Sequence, residues 1–153
     1  FSVIANGGVL MRPYIVKDVL DDKGIPIREA SPKIVRRVIS KETAAMVKQM
    51  LEGVVLRGTG KRSQIKGYRV CGKTGTAEKV DPSGGDYSDK YIASFVGFAP
   101  YEKPRIVLAV TIDEPKGGHL GGHVSAPAFK NIVENVLSYM EIEGDKNEAE
   151  KTS

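Results

Sequence analysis

Cys71-Gly72-Lys73-Thr74-Gly75-Thr76-Ala77-Glu78-Lys79 is the stretch on which the reading of this chain turns. Two incompatible local structures fit it. Gly67-Tyr68-Arg69-Val70-Cys71-Gly72-Lys73-Thr74 matches the phosphate-loop pattern G-x-x-x-x-G-K-[ST] letter for letter, but that pattern needs a buried strand before it and a helix after it. Lys61 to Lys66 is too polar for a buried strand, and Asp81-Pro82-Ser83-Gly84-Gly85 cannot hold a helix. The other structure is a β-strand running through the motif. Alternate strand side chains share a face, which puts Thr74 and Thr76 on one side and Lys73 and Gly75 on the other. Two hydroxyls on one face suit a carboxylate, and an ammonium beside them adds attraction. Gly75 lets a backbone or ligand approach closely, and the Thr76 backbone N–H is a candidate oxyanion donor. The same residues also fit a purely structural strand, with Lys73 reaching solvent and the threonines serving as β-formers.

Working outward, the apolar runs Ile92–Ala99 and Arg105–Asp113 join Tyr68–Lys79 as three predicted strands. The near-continuous apolar character of the second and third predicts a sheet covered on both faces. Tyr101 to Pro104 is a short turn, which predicts antiparallel neighbours. Upstream, Phe1 to Ala5 reads as the end of a helix stopped by Asn6-Gly7-Gly8. Pro13–Leu20 and Ile25–Arg28, joined by Asp21-Asp22-Lys23-Gly24, predict a small hairpin with Pro26 on an edge arm. Ser40 is a predicted N-cap for a helix carrying Ala44, Val47, Met50, Leu51, Val54 and Val55. Gly58 to Gly67 is a basic, glycine-rich loop. A second such loop, Pro115 to Gly122, leads to Ser125, a predicted N-cap, with Pro127 in the first turn. The helix expected over 125–140 carries Phe129, Ile132, Val133, Val136, Leu137 and Met140 on one face. The charged segment 143–153 is expected to be disordered.

The 153 residues suffice for one domain with a core. Net charge is +4, with 23 basic residues interleaved among 19 acidic ones, a mixed surface rather than a nucleic-acid stripe. One cysteine, Cys71, excludes an internal disulfide, and it reads as a buried free thiol. Two histidines without metal-ligand spacing give no metal site, and no cofactor is expected. No apolar run is long enough to span a membrane. The opening residues read as the interior of a longer protein.

The motifs taken together resemble one family. G-K-T-G-T-A-E-K at Gly72–Lys79, A-S-F-V-G-F-A-P at Ala93–Pro100, I-D-E-P-K-G at Ile112–Gly117 and G-G-H-V-S-A-P-A-F at Gly121–Phe129 follow the order seen in class B penicillin-binding proteins. A-N-G-G-V-L-M-R-P-Y at Ala5–Tyr14 is similar to the same family's stretch ahead of K-T-G. The resemblance covers Phe1 to Tyr139 and is nearest the division and sporulation types. It implies an α/β fold of the penicillin-binding transpeptidase and serine β-lactamase kind, present in part: a mostly antiparallel sheet flanked by helices. Residues 1–142 would be the C-terminal portion of the transpeptidase domain, with a strand-rich core over 68–113.

The resemblance implies a parent enzyme that cross-links peptidoglycan stem peptides through an acyl-serine and is acylated by β-lactams. Lys73 would support the proton network, and Lys73, Thr74, Gly75 and Thr76 would hold the substrate carboxylate. The parent would be membrane-anchored, with this domain outside the cytoplasmic membrane. The family also needs S-x-x-K and S-x-N. The one S-x-x-K, Ser63-Gln64-Ile65-Lys66, lies too close to the K-T-G strand and reads as exposed loop, and no S-x-N precedes Lys73. The chain alone is therefore expected to be inactive. It is expected to pair through open strand edges with the missing part of the domain or with a second copy. A non-catalytic β-lactam sensor of the same fold and, less favoured by context, a phosphate-loop module are the alternatives. His119 and His123 read as loop residues near the cleft. Asp113 and Glu114 read as turn chemistry, because adjacent strand positions face opposite ways.

Overall fold

The computed structural model describes residues 1–81, 84 and 87–145. The short helix α1 (Ser2–Ala5) ends where Gly7 and Gly8 take φ of 76° and 94°. Gly8 is required twice over, since a Cβ there would lie 2.2 Å from the Ile39 carbonyl oxygen. Strand β1 (Val9–Met11) follows. The expected hairpin forms from β2 (Asp18–Leu20) and β3 (Pro26–Glu29), with Pro26 opposite Leu20. Its turn is held by the Asp21 carboxylate, which accepts from the Lys23 and Ile25 N–H groups. The next strand, β4 (Ile34–Arg37), was not expected, and it pairs antiparallel with β1.

Ser40 caps α2 (Lys41–Arg57) as the sequence predicts: its Oγ accepts from the Thr43 N–H at 3.0 Å. The buried face is narrower than the apolar spacing implies. Ala44, Glu52 and Val55 are buried, whereas Met50 is 68% exposed. A 3-10 turn at Lys61–Ser63 then leads into the main sheet.

That sheet is β5 (Cys71–Val80), β6 (Tyr87–Ala99) and β7 (Ile106–Asp113), antiparallel throughout and in that spatial order. Helix α3 (Gly121–Tyr139) crosses one face of all three strands, and α2 packs against β5. Phe95 of β6 meets Phe129 of α3 edge to face, with ring centroids 4.8 Å apart. Val55, Val70, Val133 and Leu137 close the core around them.

Three expectations need correction. β7 is not covered on both faces: Ile106, Leu108, Val110 and Ile112 are half-buried, while Val107, Ala109, Thr111 and Asp113 are exposed. It is an edge strand with one face under α3. Helix α3 starts at Gly121, four residues before Ser125, so Ser125 is not its cap. Ser125 is buried, and its hydroxyl donates to the Ala93 carbonyl of β6 at 3.0 Å. Pro127 therefore lies inside the helix, where it cannot donate to the His123 carbonyl. That oxygen instead accepts from Arg62 at 3.4 Å. Finally, the segment expected to be disordered from Glu143 stays on the body for its first residues. The Asp145 carboxylate accepts from the Arg69, Tyr101 and Glu102 N–H groups. Residues 146–153 lie outside the described residues.

Candidate functional site

The phosphate-loop reading fails on local structure. Gly72, Lys73 and Thr74 lie inside β5, with Gly72 opposite Gly97 and Thr74 opposite Phe95, so no helix N-terminus follows the glycine. Thr74 and Thr76 share the face that meets the start of α3. Thr76 Oγ1 accepts from the Gly121 N–H at 3.3 Å, and Thr74 Cγ2 packs at the Gly122 position. Lys73 leaves the strand on the opposite face, as alternation requires. β5 is an edge strand, so the long side chain can curl round it. Its ammonium donates to the Thr74 carbonyl at 2.9 Å and to Thr74 Oγ1 at 3.3 Å. Two hydroxyls and one ammonium are thereby brought to a cleft of about 350 Å3 between the K-T-G-T strand, Thr59 and Leu120–His123.

Glycines permit this closeness. A Cβ on Gly121 would fall 2.2 Å from the Ser94 carbonyl oxygen and 2.5 Å from that of Gly75. One on Gly122 would fall 2.3 Å from the Thr59 carbonyl oxygen. The loop before β5, β5 itself and the first turn of α3 can meet only because both positions lack side chains. The Gly121-Gly122 pair was the available sequence signal for this junction, and reading it as loop missed it. Thr59 carried no signal of its own.

The remaining flagged residues have other tasks. Ser63 is fully buried rather than exposed, and its hydroxyl donates to the Gly60 carbonyl at 2.8 Å. It supports the turn and does not line the cleft. His123 lines the cleft from the first turn of α3, not from a loop, while His119 stacks on Tyr91 with centroids 4.4 Å apart. Asp113 and Glu114 do reach one partner despite being adjacent. Glu114 has φ of 48°, which breaks strand alternation, and the Lys79 ammonium contacts both carboxylates at 2.9 and 2.7 Å. Lys79 and Lys90 hold the Glu114 carboxyl below the usual range.

A second polar cluster, unforeseen in the sequence, supports the start of β5. Glu52 receives Arg69 through two contacts, at 2.6 and 3.0 Å, and Arg69 also reaches Glu102 at 3.0 Å. The guanidinium lies 3.9 Å over the Tyr101 ring. The hydrogen bond to Glu52 pushes the Arg69 pKa up. Beside it, Cys71 is fully buried as expected, and burial pushes its thiol up to about 12.

The Cys71 shift has a pH consequence. The folded thiol keeps its proton to higher pH than an unfolded thiol of about 8.5. The associated stability is complete below that value and is lost as pH rises toward about 12. Chemical denaturation at pH 8 and at about pH 10.5 is expected to show wild type losing more stability over that interval than Cys71→Ala. Equal losses would contradict the buried, protonated thiol.

A model of the family described as the penicillin binding protein transpeptidase domain matches residues 1–134. The chain belongs to this family. Stage V sporulation protein D of Bacillus subtilis is 41% identical over 152 residues, 98% of this chain and 23% of that protein. Peptidoglycan D,D-transpeptidase FtsI of Escherichia coli K12 is 47% identical over 157 residues, 97% of this chain and 24% of that protein. Penicillin binding protein 3 from Mycobacterium tuberculosis, solved in complex with ampicillin, superposes with a TM-score of 0.83 at 35% identity, over 95% of this chain and 34% of that one. The transpeptidase-domain chain thus spans about a quarter of the length of the curated relatives it matches. Its fold is the expected α/β transpeptidase fold, with the K-T-G-T strand at the edge of the main sheet.

Proposed function

We propose that this chain is the carboxylate-binding wall of a peptidoglycan D,D-transpeptidase. One observation carries the reading: Thr74 and Thr76 present hydroxyls to one cleft beside the Lys73 ammonium. A stem peptide ends in a carboxylate, as do penicillins, and two hydroxyl donors beside a cation match it in charge and hydrogen-bonding capacity. In this reading Thr74 and Thr76 hold the carboxylate, Gly75 allows close approach, and Lys73 supports the field and the proton network. A serine outside this chain attacks the penultimate carbonyl. D-alanine leaves, and an amine from a neighbouring strand resolves the acyl-enzyme. β-Lactams acylate the same serine. The relatives named for D,D-transpeptidation and sporulation, and the ampicillin-bound neighbour, support it.

No strand other than β6 pairs with β5 among the described residues, which leaves one edge of β5 open. That edge takes the serine-bearing part of the domain or, in its absence, a second copy of this chain. The parent is membrane-anchored, with this domain outside the cytoplasmic membrane and a role in division or sporulation. Among the described residues, no helix is long and apolar enough to cross a membrane.

Labelling with a fluorescent penicillin tests the proposal. The full-length parent is expected to label covalently and the isolated chain not to label, while light scattering finds the isolated chain larger than a monomer. Labelling of the isolated chain, or none of the parent, would overturn the assignment of the nucleophile to another segment.

A further inference from the structure

The hydrogen bonds around the cleft leave one proton direction open. A threonine hydroxyl has one proton to give and two lone pairs to fill. Thr76 Oγ1 accepts from the Gly121 N–H at 3.3 Å, so its own proton is available to a ligand. Thr74 Oγ1 already accepts from the Lys73 ammonium at 3.3 Å. Its remaining neighbour is the Thr59 hydroxyl, 2.8 Å away, and in that pair either oxygen could donate. If Thr74 donates, its proton is spent inside the protein and the free proton of the pair sits on Thr59 instead, away from Thr76. If Thr59 donates, Thr74 has both lone pairs filled and its proton turns outward.

We propose that Thr59 is a positioning residue that sets the direction of the Thr74 proton and so makes the cleft selective for carboxylates. An anion held between Thr74 and Thr76 favours the arrangement in which both of those protons face it, and a Thr59 hydroxyl that donates to Thr74 Oγ1 leaves the Thr74 proton for the anion and polarises it. Its placement is built into the fold. The Thr59 carbonyl occupies the space that a Gly122 side chain would fill, and Gly60 is pressed against Val54 and Phe95. The backbone around Thr59 is thereby fixed between α2, β6 and α3. The hydroxyl also lines the cleft itself, so a ligand carboxylate lies next to the Thr59–Thr74 pair rather than behind it. This inference rests on the carboxylate-binding reading of the site and refines it.

The test uses the full-length protein and two probes: a stem-peptide analogue ending in D-alanyl-D-alanine, and the same analogue with its C-terminus amidated. Wild type is expected to prefer the free acid. Thr59→Val removes the hydroxyl while keeping the shape and should weaken binding of the acid by about fivefold, as for loss of a hydrogen bond between neutral groups. Binding of the amide should stay within about twofold, and Thr59→Ser should restore the preference for the acid. Should Thr59→Val not fold, the Thr59→Ala and Thr59→Ser pair reports the same difference. Equal weakening of acid and amide would overturn the inference, since a loop-packing role predicts that result. Unchanged acid binding in Thr59→Val would also overturn it. A wild-type protein with no preference for the acid would instead sink the carboxylate reading, and this inference with it.

Discussion

Thr74→Val combined with Thr76→Val is expected to slow acylation of the full-length parent by a penicillin about a hundredfold or more, with the fold intact. Each valine replaces a hydroxyl by a methyl of similar size. A hydrogen bond to a charged group contributes about 1.5–3 kcal/mol, so losing two corresponds to roughly two to four decades. The double variant also leaves the Gly121 N–H without its acceptor on Thr76 and the Thr59 hydroxyl without its partner on Thr74. Those groups border the cleft, where water can replace the lost partners, so stability should fall far less than reactivity. The check is a second-order acylation rate measured beside a thermal melt. A rate within about threefold of wild type would mean that the hydroxyls do not hold the carboxylate.

Phe129→Ala carries the largest expected cost in stability, about 3–5 kcal/mol. Phe129 is fully buried and meets Phe95 edge to face, and its ring tip occupies the space above Gly97 where a Cβ would come within 2.9 Å. Removing the ring opens a cavity at the contact that seats α3 on the sheet. α3 also delivers Gly121 and Gly122 to the cleft, so the same variant should loosen the site. At about 2–4 °C per kcal/mol, the melting temperature should fall by roughly 6–20 °C. Phe129→Leu, which keeps most of the volume, should cost clearly less. A fall of under about 1 kcal/mol in urea denaturation would show that this contact does not organise the core.

Much of the fold was legible because its signals are local. Ser40 before an apolar repeat marked a cap, and the Asp21–Gly24 turn marked a hairpin. What misled was local reasoning applied to tertiary questions. Ser125 looks like a cap by sequence, yet its hydroxyl is consumed by Ala93 across the sheet. β7 looks buried on both faces, yet among the described residues no element covers its outer one. β4 was missed because its partner, β1, lies more than twenty residues away and neither strand is long.

The site divides along the same line. Period-two alternation in an extended strand determined by itself that Thr74 and Thr76 share a face, and the order of motifs along the chain determined the family. Only the tertiary structure decided that the Lys73 ammonium returns to that face, because this depends on β5 having a free edge for the side chain to round. Only the tertiary structure brought Thr59 to Thr74, since the two are fifteen residues apart and meet where a glycine of α3 leaves room. Alternation is a property of one strand's backbone, whereas an edge and a junction belong to elements packed together.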